Sequence, residues 1–153
     1  MAGVFTVNSG KVACASAALK VAVQIASTTT KTCKIIGVDF TFDGTTATNT
    51  PILCEMVRET GVTSTGGTAP TPVLAGGDAS VTSAMTARIN DTTDGTGPTV
   101  ICGWLVPPTG GFSYQWPLGR EITLKISDFV AARVTTVAGS GTPNYDVTIW
   151  YEE

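Results

Sequence analysis

The four cysteines are the residues of this chain with the widest possible chemistry, because thiols form disulfides, bind zinc and act as nucleophiles. They are Cys14, Cys33, Cys54 and Cys102. Structural zinc sites usually pair ligands about two to four residues apart, and no two of these cysteines are that close, so we expect no zinc site. Two interpretations remain open. The thiols are buried and reduced, acting as small apolar side chains, or they form disulfides within or between subunits after release into an oxidising medium.

Strand phase predicts different environments for individual cysteines. Residues 33–42 alternate as a long strand, and one face of that strand carries Ile36, Val38, Phe40 and Phe42. Cys33 falls on the opposite face with Asp39 and Thr41, so we expect it to point outward, where a neighbouring subunit could reach it. Cys54 lies within another alternating apolar segment and is expected in the core.

The absence of histidine restricts the catalytic chemistry. It excludes Ser-His-Asp and Cys-His catalysis, histidine-ligated zinc and the commonest general base at neutral pH. Carboxylate-only or lysine-based chemistry stays open. The candidate carboxylate pairs, Asp91/Asp94 and Glu152/Glu153, lie in a predicted turn and at the end of the sequence, where solvated charges are the simpler interpretation. We therefore expect a non-enzymatic protein without catalytic or cofactor-binding residues.

Of the known kinds of metal site, the sequence comes nearest to a calcium-binding loop. Residues 90–98 have some of the acidic spacing of such a loop, but the closing glutamate and the series of oxygen ligands are absent. A plain loop is the preferred interpretation, and no metal ligand is expected.

The composition favours β-structure. Charged residues make up 14% of the 153 residues, against about 25% in typical soluble domains. Threonine and glycine take their place, with 27 Thr and 17 Gly. Threonine is β-branched and favours strands, and glycine permits the backbone angles of tight turns.

Charge and hydropathy limit the partners. The formal net charge is −3, and the nine Lys and Arg residues are scattered singly. This argues against nucleic acid and against an anionic membrane surface as partners. No apolar run has the length of a membrane span. The chain starts at Met1 without a basic and apolar leader, so we expect synthesis in the cytoplasm.

The strand pattern predicts one all-β domain. Runs with period-two alternation, separated by Gly, Pro, Asn and Asp, indicate about eight to ten short strands and no sustained helical period. The predicted strands are residues 20–25, 33–42, 52–58, 81–89, 99–106, 112–116, 121–126, 131–137 and 145–151. We predict a single-domain antiparallel β-sandwich, jelly-roll-like, over residues 19–153. Residues 1–18 are expected to be an N-terminal arm or an opening strand.

Two further features are candidates for contacts with other molecules. The loop 60–77 is long for a compact domain and is either a contact arm or an exposed insertion. Trp150 is expected on the outward face of the last strand, and Trp116 and Trp150 are the candidate interface anchors. Exposed aromatic residues also leave open a carbohydrate- or receptor-binding module.

Several segments resemble small tailed-bacteriophage proteins of the capsid decoration (cement) group. They are residues 7–13 (VNSGKVA), 18–20 leading into 24–25, 36–45 (IGVDFTFDGT), 116–122 (WPLGREI) and 149–153 (IWYEE). The resemblance implies a β-rich, often trimeric protein that binds the major capsid protein where its subunits meet.

The function implied by this resemblance is mechanical. Such a protein is expected on the outer surface of the capsid, where it stabilises the mature head. Inter-subunit disulfides would add a covalent lock. A tail or neck subunit of the same virion is the related alternative.

Overall fold

The computed structural model describes residues 3–46, 48–61, 66–75 and 81–153. Among these residues there is no helix long and apolar enough to cross a membrane. In chain order, the described strands are β1 (Val4–Asn8), β2 (Val12–Ala13), β3 (Leu19–Ala26), β4 (Cys33–Phe42), β5 (Ile52–Glu59), β6 (Val73–Leu74), β7 (Thr86–Asp91), β8 (Thr99–Val106), β9 (Gly111–Gln115), β10 (Ile122–Leu124), β11 (Phe129–Thr135) and β12 (Asn144–Glu152).

The strands pair in a nested order that makes the fold a jelly roll. β1 pairs with β12, β3 with β11, β4 with β9 and β10, and β5 with β8, all antiparallel. Successive nested pairs alternate between two packed sheets, as when one long hairpin is rolled up. The larger sheet has the order β10-β4-β12-β1-β6, with β9 also beside β4 and β2 beside β12, and the smaller sheet has the order β7-β3-β11-β5-β8. The predicted antiparallel, jelly-roll-like β-sandwich is confirmed.

The described part of residues 1–18 lies within the larger sheet. β1 pairs along its whole length with β12. Its alternate side chains, Phe5 and Val7, are buried in the core. Of the two expectations for residues 1–18, an arm or an opening strand, Val4–Asn8 is an opening strand, because burial of its alternating apolar side chains holds it on the sheet.

A β-bulge in β4 changes the phase of the residues that precede it. The register with β12 skips Ile36, since consecutive residues of β12 lie opposite Gly37 and Ile35. An extra residue of this kind shifts the alternation on one side of the bulge relative to the other. Cys33 and Ile35 consequently point into the core and are buried. The expectation that Cys33 points outward is wrong, because it extends the regular alternation of residues 38–42 through the bulge.

The core lies between the two sheets. Its largest fully buried side chains are Phe5, Phe40, Tyr145, Ile149 and Tyr151 from the larger sheet, and Ile25, Ile52 and Met56 from the smaller sheet. Burial of each such aliphatic or phenylalanine side chain contributes about 1.5–3 kcal/mol relative to leaving it in water. Cys54 is part of this core, as expected.

The loop 60–77 lies partly outside the described residues, which omit 62–65 and 76–77. Its described part is attached to the sandwich. Thr68 and Ile89 exchange backbone hydrogen bonds of 3.0 and 2.9 Å. Further along, β6 pairs with β1. The described part of the loop therefore runs along strands at the edges of the sandwich.

A polar link joins the two sheets at one end of the core. The hydroxyl of Tyr145 donates to Oδ1 of Asn90 at 2.9 Å, and Nδ2 of Asn90 donates to the carbonyl oxygen of Ser9 at 2.8 Å. Asn90 has a φ of 61°, a left-handed conformation that asparagine adopts more readily than most residues. Burial raises the pKa of the Tyr145 hydroxyl above its ordinary value, so that group stays a donor at neutral pH.

Removal of the Tyr145 hydroxyl tests this link. Tyr145→Phe keeps the ring but leaves Oδ1 of Asn90 without its donor, so we expect the free energy of unfolding to fall by about 1–3 kcal/mol. Urea unfolding followed by tryptophan fluorescence measures the change. Tyr114→Phe, which removes a hydroxyl at the surface, is the control and should cost less than about 0.5 kcal/mol. Equal losses in the two variants would contradict the role of the link.

Candidate interaction surface

All four cysteines are free thiols. Cys14, Cys33 and Cys54 are buried, and Cys102 of β8 is partly buried and packs against the core. Burial raises the pKa of the Cys14 thiol to about 11 and that of Cys33 to about 12. It also raises the pKa values of the Cys54 and Cys102 thiols. The reactive form is the thiolate, so Cys14, Cys33 and Cys54 are core thiols, and Cys102 is the least buried of the four.

Thiol labelling tests this assignment. At about pH 8 we expect a thiol reagent to modify only Cys102 in the folded protein, and all four cysteines after unfolding, because burial excludes the reagent and suppresses the thiolate. Mass spectrometry of the labelled peptides identifies the sites. Cys102→Ser should abolish labelling of the folded protein and Cys33→Ser should leave it unchanged. Rapid labelling of Cys33 in the folded state would contradict its placement in the core.

The carboxylates of the predicted turn at 90–98 lie against the outer face of the smaller sheet. Asp91 is fully buried and accepts hydrogen bonds from Nη2 of Arg88 at 2.9 Å and from the backbone N–H of Gly67 at 3.0 Å. Asp94 accepts from Nη1 of Arg133 at 2.7 Å. The interpretation as solvated charges is therefore wrong for Asp91, because the arginine and the backbone donor compensate for its burial. Within the described ranges, no group of three or more Cys, Asp or Glu residues is arranged to hold a metal ion.

The other carboxylate pair is also divided between different environments. Glu152 is exposed. Glu153 accepts hydrogen bonds from the backbone N–H of Ala84 at 3.0 Å and from the hydroxyl of Ser83. The Ser83 hydroxyl in turn contacts the Tyr151 hydroxyl at 2.6 Å. Glu153 therefore attaches the segment before β7 to the end of β12.

Glu59 is a buried carboxylate beneath the loop that carries Asp94. It accepts hydrogen bonds from the backbone N–H of Gly95 at 2.8 Å and from the side-chain amide of Gln24. Burial raises the pKa of Glu59, and the charge of Asp94 adds to the rise, whereas both hydrogen bonds and the charge of Arg133 oppose it. Glycine is required at position 95, because a Cβ there would lie 2.5 Å from Oε2 of Glu59.

The pH dependence of stability tests the burial of Glu59. The folded protein retains the Glu59 proton at pH values at which the unfolded chain, with an ordinary pKa of 4.5, has lost it. Stability from this group therefore falls as pH rises above 4.5. Glu59→Gln removes this titration. The quantity to follow is the unfolding free energy of Glu59→Gln minus that of the unmodified protein. This difference should rise between about pH 4 and 7, by about 1.4 kcal/mol for each unit by which the folded protein raises the pKa of Glu59. Urea unfolding across this range measures the difference.

Glu121→Gln is the matched control. Glu121 lies at the surface, and backbone hydrogen bonds lower its pKa. Its carboxylate therefore adds stability at pH values above its unfolded pKa. The unfolding free energy of Glu121→Gln minus that of the unmodified protein should accordingly change with pH in the opposite direction. A difference for Glu59→Gln that is flat with pH, or that falls as pH rises, would contradict the raised pKa of Glu59.

An aromatic seam, formed by Trp104, Phe112, Tyr114 and Trp116, closes the sandwich between β8 and β9. The Trp104 ring centroid lies 4.9 Å from that of Phe112 and 5.4 Å from that of Tyr114. Trp116 meets Tyr114 edge to face at 5.2 Å. Trp116, one of the two candidate interface anchors, is half-buried and packs against the core. Its buried part therefore helps to hold the two sheets together.

Trp150 lies on the outward face of β12, as its strand phase predicts. Its exposed fraction is 37%, and its indole Nε1 donates to Oδ2 of Asp39 at 2.7 Å. The ring lies beside Gly37 of the adjacent strand, where a Cβ would be 3.8 Å from Cδ1 of Trp150. The indole is therefore fixed on the outer face of the larger sheet.

β8 is an edge strand with an apolar exposed face. None of the described residues pairs with its outer edge. The exposed fractions are 69% for Leu105, 49% for Val100 and 39% for Ile101. The strand has no charged residue, although Pro98 and Pro107 flank it. Edge strands of soluble proteins usually carry charges or are covered, so this edge has the character of a surface that another protein covers.

The apolar edge belongs to a longer uncharged segment. Residues 95–119 contain no Asp, Glu, Lys or Arg, which makes this run of 25 residues the longest uncharged stretch of the chain. It comprises β8, β9 and their loops, and it ends near Leu118, whose exposed fraction is 97%. The cysteine and aromatic patterns do not reveal this surface, whereas the spacing of charges along the sequence does. We call the part formed by β8, β9 and their connecting loop the β8–β9 side.

Comparison with known proteins finds no relative, since no family model, curated protein or solved structure matches this chain. The fold and the surface define a class, namely a jelly-roll β-sandwich with one uncharged, apolar side. The function is inferred from that surface and from the sequence resemblance.

Proposed function

We propose that this chain is a virion structural protein, a capsid decoration subunit that binds the major capsid protein through its β8–β9 side. The observation that carries the proposal is the apolar outer edge of β8, which is open to pairing and has Leu105, Val100 and Ile101 exposed beside it. The resemblance of five sequence segments to decoration proteins supports the same function.

The energetics of the β8–β9 side favour a protein partner. Full burial of a Val, Leu or Ile side chain contributes about 1.5–3 kcal/mol, and Leu105 and Val100 still expose about half of their surface or more. A strand of the partner added to the edge would also satisfy backbone groups, at about 1 kcal/mol net for each hydrogen bond. With no charged residue on this side, binding requires no desolvation of ionised groups of this chain.

The proposed action is mechanical and non-enzymatic. A subunit that binds only the mature arrangement of capsid proteins stabilises that arrangement by preferential binding. In a homotrimer, three such contacts act together, so that individually weak contacts give firm attachment. Because Cys14, Cys33 and Cys54 are buried, the proposed attachment is noncovalent, and Cys102 is the remaining position for a cross-link.

The test uses virions from the genome that encodes this sequence, prepared without this protein. Added protein should co-sediment with the particles and raise the temperature at which they release nucleic acid. Leu105→Lys places a charge on the β8 edge and should weaken binding at least about tenfold, or about 1.4 kcal/mol. The control is Val137→Lys, because Val137 is also 49% exposed but lies outside the uncharged segment. It should bind normally.

The position of the bound protein separates the proposal from its nearest alternative. Antibody labelling in electron micrographs should decorate the shell at many sites, whereas a neck or tail subunit would label one end of the particle. The proposal fails if the protein does not bind the particles, or if Leu105→Lys and Val137→Lys bind equally well while both remain folded.

A further inference from the structure

A shallow depression of about 470 Å³ lies on the outer face of the larger sheet and includes part of β9, whereas the apolar β8 edge belongs to the smaller sheet. Its lining side chains come from β1, β4, β9 and β12. They are Asn8, Asp39, Thr41, Ser113, Asp146 and Thr148. The floor is open because Gly111, which lies opposite Thr41, has no side chain. A Cβ at Gly111 would be 3.1 Å from the carbonyl oxygen of Phe40, a tighter contact than most Cβ atoms make.

Hydrogen bonds fix several polar groups of the depression. Nδ2 of Asn8 donates to Oδ1 of Asp146 at 2.5 Å and to Oγ1 of Thr148 at 2.8 Å. Oδ2 of Asp39 accepts from Nε1 of Trp150 at 2.7 Å. In each carboxylate the second oxygen has no hydrogen-bond donor among the described residues. Each aspartate is therefore held in place by one oxygen and has the other available as an acceptor.

Trp150 provides an aromatic surface next to the depression, although it is not one of the lining residues. It is bonded to Asp39, which lines the depression, and is 37% exposed beside Gly37. An indole that is already fixed by a hydrogen bond loses little conformational freedom when an apolar face stacks on it. The surface therefore combines one fixed aromatic face with adjacent acceptors and hydroxyls.

We propose that this depression binds a neutral saccharide. The carbon-bound hydrogens on one face of a sugar ring would stack on Trp150, and sugar hydroxyls would donate to Asp39 and Asp146. The hydroxyls of Thr41 and Ser113 add groups that both donate and accept. Many weak polar contacts around one apolar contact suit an open, shallow site.

The charges of the site select against other small ligands. The lining contains two carboxylates and no Lys or Arg, so phosphate, sulfate and acidic sugars would be repelled. A divalent cation favours a set of several free oxygen ligands, whereas each aspartate here has one oxygen already bonded. A neutral ligand rich in donor hydroxyls matches the acceptors that remain.

Saccharide binding by the isolated protein tests the proposal. The probes are an array of neutral oligosaccharides and the methyl glycosides of glucose, galactose, mannose and N-acetylglucosamine, with saturation-transfer NMR in the presence of EDTA. We expect binding of at least one of these sugars. Trp150→Ala removes the stacking face, and Ser113→Leu places an apolar side chain beside Asp39, its cross-strand neighbour. Each should weaken binding at least about tenfold.

Two controls make the result specific. Leu118→Ala changes the most exposed apolar side chain, which does not line the depression, and should bind sugar normally. Leu105→Lys should also bind sugar normally, so failure of capsid binding and failure of sugar binding are separate results. The proposal is overturned if no neutral sugar binds, or if binding survives in folded Trp150→Ala and Ser113→Leu. Binding of calcium alone, with no sugar bound, would overturn it as well.

Discussion

The antiparallel pairing of β4 with β12 is the interaction on which the rest of the structure depends. It joins the centre of the larger sheet along nearly the whole of both strands. Its inner face supplies Phe40, Tyr145 and Tyr151 to the core. Its outer face places Asp39 beside Trp150. The bulge at Ile36 allows this, because the added residue lets the ends of β4 keep their apolar side chains inside while the sheet twists.

The regular parts of this arrangement could be predicted from the sequence, and its irregular parts could not. The alternation of residues 145–151 and the apolar run 99–106 predict β12 and β8 closely, because period two is a local property. The outward placement of Cys33 was wrong because a bulge depends on the partner strand, which local alternation does not reveal. The buried Asp91 was missed for a similar reason. Arg88, one of its donors, is three residues away, but the other donor, the backbone N–H of Gly67, is distant in sequence.

The two sheets differ in what covers their outer faces. On the smaller sheet, the loop after β7 places Asp94 and Gly95 over Arg133 and Glu59, and ion pairs and hydrogen bonds fill that face. On the larger sheet, polar side chains surround an open depression instead. A buried ionic cluster requires nearly complete pairing to be tolerated, which limits that face to a structural role. The two surfaces proposed for recognition are the outer face of the larger sheet and the β8 edge.

The uncharged β8 edge, proposed as the attachment surface, also carries a risk of nonspecific association. An apolar edge strand without charges invites pairing with any exposed strand, including another copy of itself. The chain limits this with proline at both ends of β8 and a register shift opposite Met56 and Val57, which interrupts regular pairing. These devices restrict the partners to those that match an irregular strand. An edge that is open yet irregular can favour one fitted protein over indiscriminate association, and the proposed capsid decoration subunit would require this property.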